Sequence, residues 1–468
     1  MTQLSNREAR IRHSFNKVAE SYDSAAFFQR HTARKLLVHL RQKLGDRQPQ
    51  RILEVGCGTG FLTQLLREEW PEADILATDI APHMLEQAQK RAGTGVSFRI
   101  MDAAQPDVAG QFDLVCGNLV FQWLAHPQDV LNRLNTIVQP GGIVGFSTLL
   151  DGTFSEWQDA CAPDQAGTPV YPSVAAVQCL RPALSSGVWV TETCVQQFQN
   201  AAAFLQHLRQ TGAQVPRADH KTMSVRRLKR AMARFDAAGQ GVSWQVAYGC
   251  FQKPARAGVF VTGTDTGVGK TFVSACLVKA WKALYWKPLQ SGLADEQGDT
   301  PTIENLTGCG AEACFPPAGA FQASLSPEAA AHAEGVSIDP ASLALPLHDA
   351  GRPLVVEGAG GLMVPATDSL MMLDLAQQWG LPVVLVARSG LGTINHTLLS
   401  LDALRQKGVA IAGVVMNGPL NPANSQTIAQ KGRVRILAEI PHQAEVSPQA
   451  VSHVAETLPS WADISAEC

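Results

Sequence analysis

Two glycine-rich stretches carry the residues best suited to chemistry. The first, Glu54-Val-Gly-Cys-Gly-Thr-Gly60, places Gly56, Gly58 and Gly60 behind a short apolar run, where glycine lets the backbone turn tightly and approach a ligand closely. The second spans Gly263, Thr264, Asp265, Thr266, Gly267, Val268, Gly269, Lys270 and Thr271. Backbone N–H groups, an ammonium and a hydroxyl at the start of a helix suit the phosphates of a nucleotide and a Mg²⁺ ion. The loop departs from the strict G-x-x-x-x-G-K-[ST] pattern because Thr264 stands where the first glycine belongs, with Gly263 one residue earlier.

Each loop needs a strand before it and a helix after it. RILEV (51–55) followed by FLTQLLREEW supplies them for the first, and GVFVTG followed by FVSACLVKAWKAL for the second. The next strand in the first half ends in Asp79, 19 residues after Gly60, where a carboxylate can accept hydrogen bonds from both hydroxyls of a ribose. Met101 and Asp102 end the strand after that and can bracket an adenine and its amine. The G-x-G-x-G spacing disfavours a dinucleotide, whose fingerprint is G-x-G-x-x-G.

Strands alternating with helices in both halves predict an α/β protein of two doubly wound, mostly parallel sheets. The reading gives one domain over 1–252, a linker over 253–257 and a second domain over 258–468. In the first, a helical stretch from Asn6 to Leu44 precedes the sheet, residues 151–241 read as mixed and helical, and VSWQVAYGCFQ (242–252) reads as a last strand. Further buried strands are expected at 353–361, 382–390 and 410–418, with helices around 373–379 and 395–406.

Composition limits the partners. The 468 residues are 46% hydrophobic and 17% charged, with a net charge of −3, so packed cores are expected and no global positive field recruits nucleic acid or membrane. Ten cysteines are scattered, the closest being Cys309 and Cys314, without the spacing of a zinc site or a disulfide framework. With neither an apolar leader nor a run of about 18 apolar residues, the expected location is the cytoplasm.

The first half resembles the class I S-adenosylmethionine-dependent methyltransferases in its E-x-G-x-G-x-G stretch and Asp79. Tyr22-Asp23, GNLVFQW (117–123), FSTLLDGTFSEW (146–157) and LRQTGA (208–213) narrow the resemblance to the malonyl-[acyl-carrier protein] O-methyltransferases, over most of residues 5–252. The resemblance implies that Glu54, Gly56, Gly58, Gly60, Asp79, Met101, Asp102 and Asn118 hold S-adenosylmethionine. Tyr22 would close over the methyl donor and Arg209 would hold the malonyl carboxylate, while Trp123 is expected in the core. The basic run Arg226 to Arg230, flanked by Lys221 and Arg234, would steer an acidic malonyl-acyl-carrier protein.

From about Val259 onward, GTDTGVGKT, YWKPLQSG (285–292), VVEGAGG (355–361) and VVMNGP (414–419) resemble the dethiobiotin synthetases. That family closes a cyclic urea from 7,8-diaminopelargonate, CO₂ and ATP. Carried over, the 263–271 loop binds ATP, with Lys270 on the β- and γ-phosphates and Thr266 supporting them. Thr271, Asp299 and Glu357 would ligate Mg²⁺, Lys287 and Ser291 would contact the substrate and its carbamate, and Asn417 would recognise adenine. Lys270 and Lys287 are the expected catalytic groups. A homodimer through the second domain is also implied. Gly267 occupies a position that can be acidic in this family, and the segment before Tyr285 is short. The competing reading, a methyltransferase for another substrate joined to a nucleotide-switched binding module, expects a lysine where Asp265 stands. No N/D-P-P-Y/W motif for a target base is present.

Overall fold

The computed structural model describes residues 6–164, 166–211, 223–239, 241–348, 351–443 and 445–467. They form two compact units, one of residues 1–182 with 189–252 and the other of 183–188 with 253–468. The first domain is therefore not the contiguous 1–252 expected, because six residues near its edge group with the second.

The first seven-stranded sheet has the strands β1 (Arg51–Val55), β2 (Asp74–Asp79), β3 (Val96–Ile100), β4 (Phe112–Gly117), β5 (Val138–Leu149), β6 (Ser186–Gln197) and β7 (Gly241–Gln252), in the order β3-β2-β1-β4-β5-β7-β6. β1 to β5 pair in parallel and β7 runs antiparallel to β5. Strand order reverses between β1 and β4. The crevice beyond their carboxyl ends is where an open α/β sheet receives its ligand.

Alternate residues of β1 feed two cores, Ile52 on one face and Leu53 and Val55 on the other. On the first face, the helix Phe27–Leu44 buries Phe28, Leu36, Leu40 and Leu44. Gly145 of β5 lets that helix approach, since a β-carbon there would overlap Leu40. Leu40 is fully buried, and Leu40→Ala would destabilise this unit by about 2–5 kcal/mol.

The structure differs from the expected elements in two places. The stretch from Asn6 to Leu44 is three helices, Asn6–Val18, Tyr22–Ala25 and Phe27–Leu44. Residues 151–241 include the long edge strand β6, whose Val188, Val190 and Val195 are exposed. Its alternation lacks the wholly buried face of a core strand, although its valines and threonines are strand formers.

The main sheet of the second unit is built from β8 (Gly258–Gly263), β9 (Leu284–Trp286), β11 (Cys314–Phe315), β13 (Leu354–Gly361), β14 (Val383–Arg388), β15 (Ile411–Asn417) and β16 (Ile436–Ile440). A separate parallel pair joins β10 (Leu289–Gln290) to β12 (Gly319–Ala320). The main order is β11-β9-β13-β8-β14-β15-β16, parallel throughout. β8 is buried at every residue, as expected of a strand covered on both faces. The helices Met372–Trp379 and Thr393–Gln406 lie close to their expected positions.

Candidate active sites

The turn after β1 is left-handed at each glycine, with φ of 64° at Gly56, 56° at Gly58 and 87° at Gly60, a region L-residues with side chains rarely enter. A β-carbon on Gly60 would lie 3.0 Å from the Ala88 backbone. Asp79, at the end of β2, braces the turn: Gly58 N–H donates to one carboxylate oxygen at 2.9 Å and Ala81 N–H to the other at 2.8 Å. Burial raises its carboxyl above the usual range, opposed by these backbone donors. Glu54 is buried beneath the loop and accepts the Thr63 hydroxyl at 2.6 Å. Burial pushes its carboxyl up to about 8, so it is largely protonated at neutral pH.

Glu54, Gly56, Gly58 and Asp79 line a cavity of about 360 Å³, and Gly60 is not among the lining residues. Met101 and Asp102 line it at the end of β3, with Asp102 turned to the Ala104 N–H at 2.9 Å. Asn118, beyond β4, also lines it; its amide donates to the Gln29 carbonyl at 3.0 Å and its oxygen accepts the Ser147 hydroxyl at 2.7 Å. Tyr22 and Trp123 line the same space, so Trp123 is a wall residue and not only core. Asp23 ties the N-terminal helices to the turn by accepting the Thr59 hydroxyl at 2.7 Å and pairing with Arg91. Sequence reasoning missed Arg91 and Gln29, which no motif marks.

Arg209 is not among the lining residues; it is exposed on the helix Ala201–Gln210. The buried face of this helix is taken by Phe204, His207 and Leu208. Of the basic run, Arg226, Lys229 and Arg230 are exposed on the helix Val225–Ala237, while Arg227 pairs with Asp164 and Arg234 is held by the Ala160 and Ala162 carbonyls. Lys221, Gly212 and Ala213 lie outside the described residues.

Sheet order assembles the second site. Glu357 of β13 stands beside Val261 of β8, and Val356 beside Trp286 of β9, so Lys287, one residue past β9, reaches the same carboxylate. Thr271 Oγ1 donates to Asp299 at 2.8 Å or to Glu357 at 2.9 Å. Lys287 Nζ lies 2.6 Å from Asp299 and 3.2 Å from Glu357, and donates to the Gly358 carbonyl at 3.1 Å. Burial works against the Lys287 charge, but Glu357 and Asp299 outweigh it and raise its pKa. Burial also opposes the charge of Asp299, yet Lys287 and Thr271 bring its carboxyl below the usual range. The aspartate is held in place by its own N–H on the Gln290 side chain at 2.9 Å.

The 263–271 loop leads into a helix beginning at Lys270. Lys270 is buried and donates to the Asp265 carbonyl at 3.3 Å; burial, then Lys287, lowers its pKa. Thr266 N–H donates to the Asp265 side chain at 2.7 Å, whose other oxygen pairs with Arg388 at 2.7 Å. The Asn417 amide donates to the Val268 carbonyl at 2.9 Å. Gly269 must be glycine here: φ is 91° and a β-carbon would overlap that amide. Gly267 is left-handed with open space around it. The Ser291 hydroxyl is buried without a partner among the described residues. Missed from the sequence are Tyr285, whose hydroxyl donates to Glu357 at 3.0 Å, and Arg388. Tyr285 sits in the YWKPLQSG segment already singled out, so its signal was present.

A family model described as a methyltransferase domain matches residues 52–142, and one described as an AAA domain matches 257–450. The biotin biosynthesis bifunctional protein BioCD of Bordetella avium is 44% identical over 449 residues, covering 95% of each chain. The ATP-dependent dethiobiotin synthetase BioD of Paramagnetospirillum magneticum is 54% identical over 183 residues, 39% of this chain and 87% of that one. The N-methyltransferase NodS of Bradyrhizobium japonicum, solved with S-adenosyl-L-homocysteine, is 18% identical with a TM-score of 0.31 over 49% of this chain and 88% of that one. With a relative matched along nearly its whole length and both loops built as described, the chain belongs to the bifunctional biotin-biosynthesis proteins, which join an S-adenosylmethionine-dependent methyltransferase to an ATP-dependent dethiobiotin synthetase.

Proposed function

We propose that the first unit transfers the methyl group of S-adenosylmethionine to the free carboxylate of malonyl-[acyl-carrier protein], and that the second closes the ureido ring of dethiobiotin from 7,8-diaminopelargonate, CO₂ and ATP. The observation that carries the second activity is the convergence of Thr271, Asp299, Glu357 and Lys287 beside the phosphate loop. Three hard oxygen donors suit Mg²⁺, which when bound would neutralise phosphate charge. Lys287 compensates the two carboxylates in its absence and is placed to turn toward a carbamate or phosphoryl oxygen. Lys270 and the backbone N–H groups of the loop hold the phosphates, so this unit works mostly by positioning and charge compensation.

In the first unit Asp79 is placed for the ribose and Met101 and Asp102 for the adenine. A carboxylate nucleophile needs no strong base, so alignment and exclusion of water supply the rate. The exposed Arg226, Lys229 and Arg230 give the acidic carrier protein a surface to approach. Among the described residues no helix is long and apolar enough to cross a membrane; a cytoplasmic location and a homodimer through the second unit complete the reading. The test is a pair of assays on the purified full chain: methyl ester formed on malonyl-carrier protein, and dethiobiotin formed from diaminopelargonate, bicarbonate and Mg-ATP. ATP hydrolysis without dethiobiotin would overturn the second assignment, and methylation of malonyl-carrier protein no faster than background would overturn the first.

A further inference from the structure

The cavity of the first unit runs from the β3 end, where Met101 and Asp102 lie, past the glycine turn to Leu149 at the end of β5. Beyond the nucleoside groups it is closed by Gln29, Phe154, Tyr171, Thr211 and Trp244. Trp244 is 2% exposed, and among the described residues its indole N–H has no hydrogen-bond partner. The side-chain oxygen of Gln29 is likewise buried and unpartnered. Buried polar atoms are ordinarily satisfied, so these orphans mark the place of a polar ligand, the Trp244 N–H calling for an acceptor and the Gln29 oxygen for a donor.

The Trp244 ring is fixed before any ligand arrives. It stacks on Phe28 at 4.2 Å and 19° and meets Phe154 edge-on at 4.7 Å and 76°. Tyr171 is buried in the same wall, 6.4 Å from Phe154 ring to ring. Among the described residues, Arg133 and Arg209 do not reach this wall. Arg133 is turned to the Ala104 carbonyl near Asp102, and Arg209 is exposed. His207, 5.8 Å from the Trp244 ring, is pushed down to about 4 by burial and is neutral at pH 7.

We propose that the indole N–H of Trp244 and the hydroxyl of Tyr171 bind the carboxylate of the methyl acceptor, fixing one oxygen by neutral donors and leaving the other to attack. The inference rests on the methyltransferase reading above. In the step it serves, the free carboxylate oxygen forms a bond to the methyl carbon while the carbon–sulfur bond breaks. The bonding pair stays on sulfur as the neutral thioether, and no proton moves. Neutral donors orient the anion without cancelling the charge that makes it a nucleophile, which a guanidinium would do.

The test compares Trp244→Phe, Tyr171→Phe and the double variant in the full chain, with malonyl-carrier protein as acceptor and the malonamyl thioester as a neutral competitor. Trp244→Phe removes the donor and keeps an aromatic ring against Phe28, and the S-adenosylhomocysteine affinity controls for the volume lost. We expect KM for the acceptor to rise about tenfold in each single variant, as for loss of a hydrogen bond to a charged group. The dissociation constant for S-adenosylhomocysteine should stay within twofold, and the preference for malonyl over malonamyl thioester should shrink in step. Variants that bind S-adenosylhomocysteine normally and keep wild-type KM and preference would overturn this inference alone. A wild-type chain that does not methylate malonyl-carrier protein would overturn the methyltransferase reading with it.

Discussion

The two sites handle charge in opposite ways. In the second unit, opposite charges are paired before any ligand binds: Lys287 is 5% exposed and held between two carboxylates, one of which is 1% exposed. In the first unit, Glu54 and Asp79 are buried without a cationic partner among the described residues, and their carboxyls are raised. A site of an ATP-dependent enzyme keeps a network of charges that can be exchanged. In the first site burial raises both carboxyls, while the backbone N–H groups of Gly58 and Ala81 hold Asp79 against that rise.

Ways to break that contrast follow, the largest effect first. Lys287→Met leaves Asp299 and Glu357 facing each other without compensation, and ring closure should fall about 10²- to 10³-fold while methyl transfer is unchanged; dethiobiotin formation measures it. Gly269→Ala forces a side chain into the left-handed region against Asn417. It should cost about 1–3 kcal/mol of stability in the second unit and raise KM for ATP, read by thermal melting and kinetics.

Glu54→Gln probes the first site. The native carboxyl is raised to about 8 from a usual 4.5, so the folded state binds a proton the unfolded chain lacks between those values. Its contribution to stability is complete below pH 4.5 and is lost as pH rises through about 8. The wild-type melting temperature should therefore drop more between pH 6 and 9 than that of the Gln variant. Titrating S-adenosylmethionine in buffers of different ionisation enthalpy should also show proton release at pH 7 in the wild type and less in the variant. The smallest effect is expected of Arg209→Ala, which should leave KM for the malonyl thioester within twofold.

The same contrast governs how much could be read from the chain. The phosphate loop, Lys287 and Glu357 lie in buried strand-ends with compact motifs, and the sheet order brings them together. Asp299 was named from an isolated aspartate, and its place is set by Gln290 and Lys287 across the sheet. In the first unit the glycine turn, Asp79 and the Met101-Asp102 pair were legible because each follows a strand. The wall opposite them was not, since Gln29, Tyr171 and Trp244 come from three distant segments that only tertiary packing joins. The exposure of Arg209 was not legible for the same reason: a helix arginine carries no mark of which face is buried. The edge strand β6 escaped because its exposed valines alternate with polar residues and it has no wholly buried face.

The central claim is that one chain carries two independent activities. Lys270→Ala and Asp79→Ala, each made in the full chain and assayed for both products, test it most directly. The account predicts that Lys270→Ala abolishes ATP-dependent dethiobiotin formation and leaves methyl transfer at the wild-type rate, and that Asp79→Ala does the reverse. Loss of both activities from either substitution, in protein that melts as the wild type does, would contradict it.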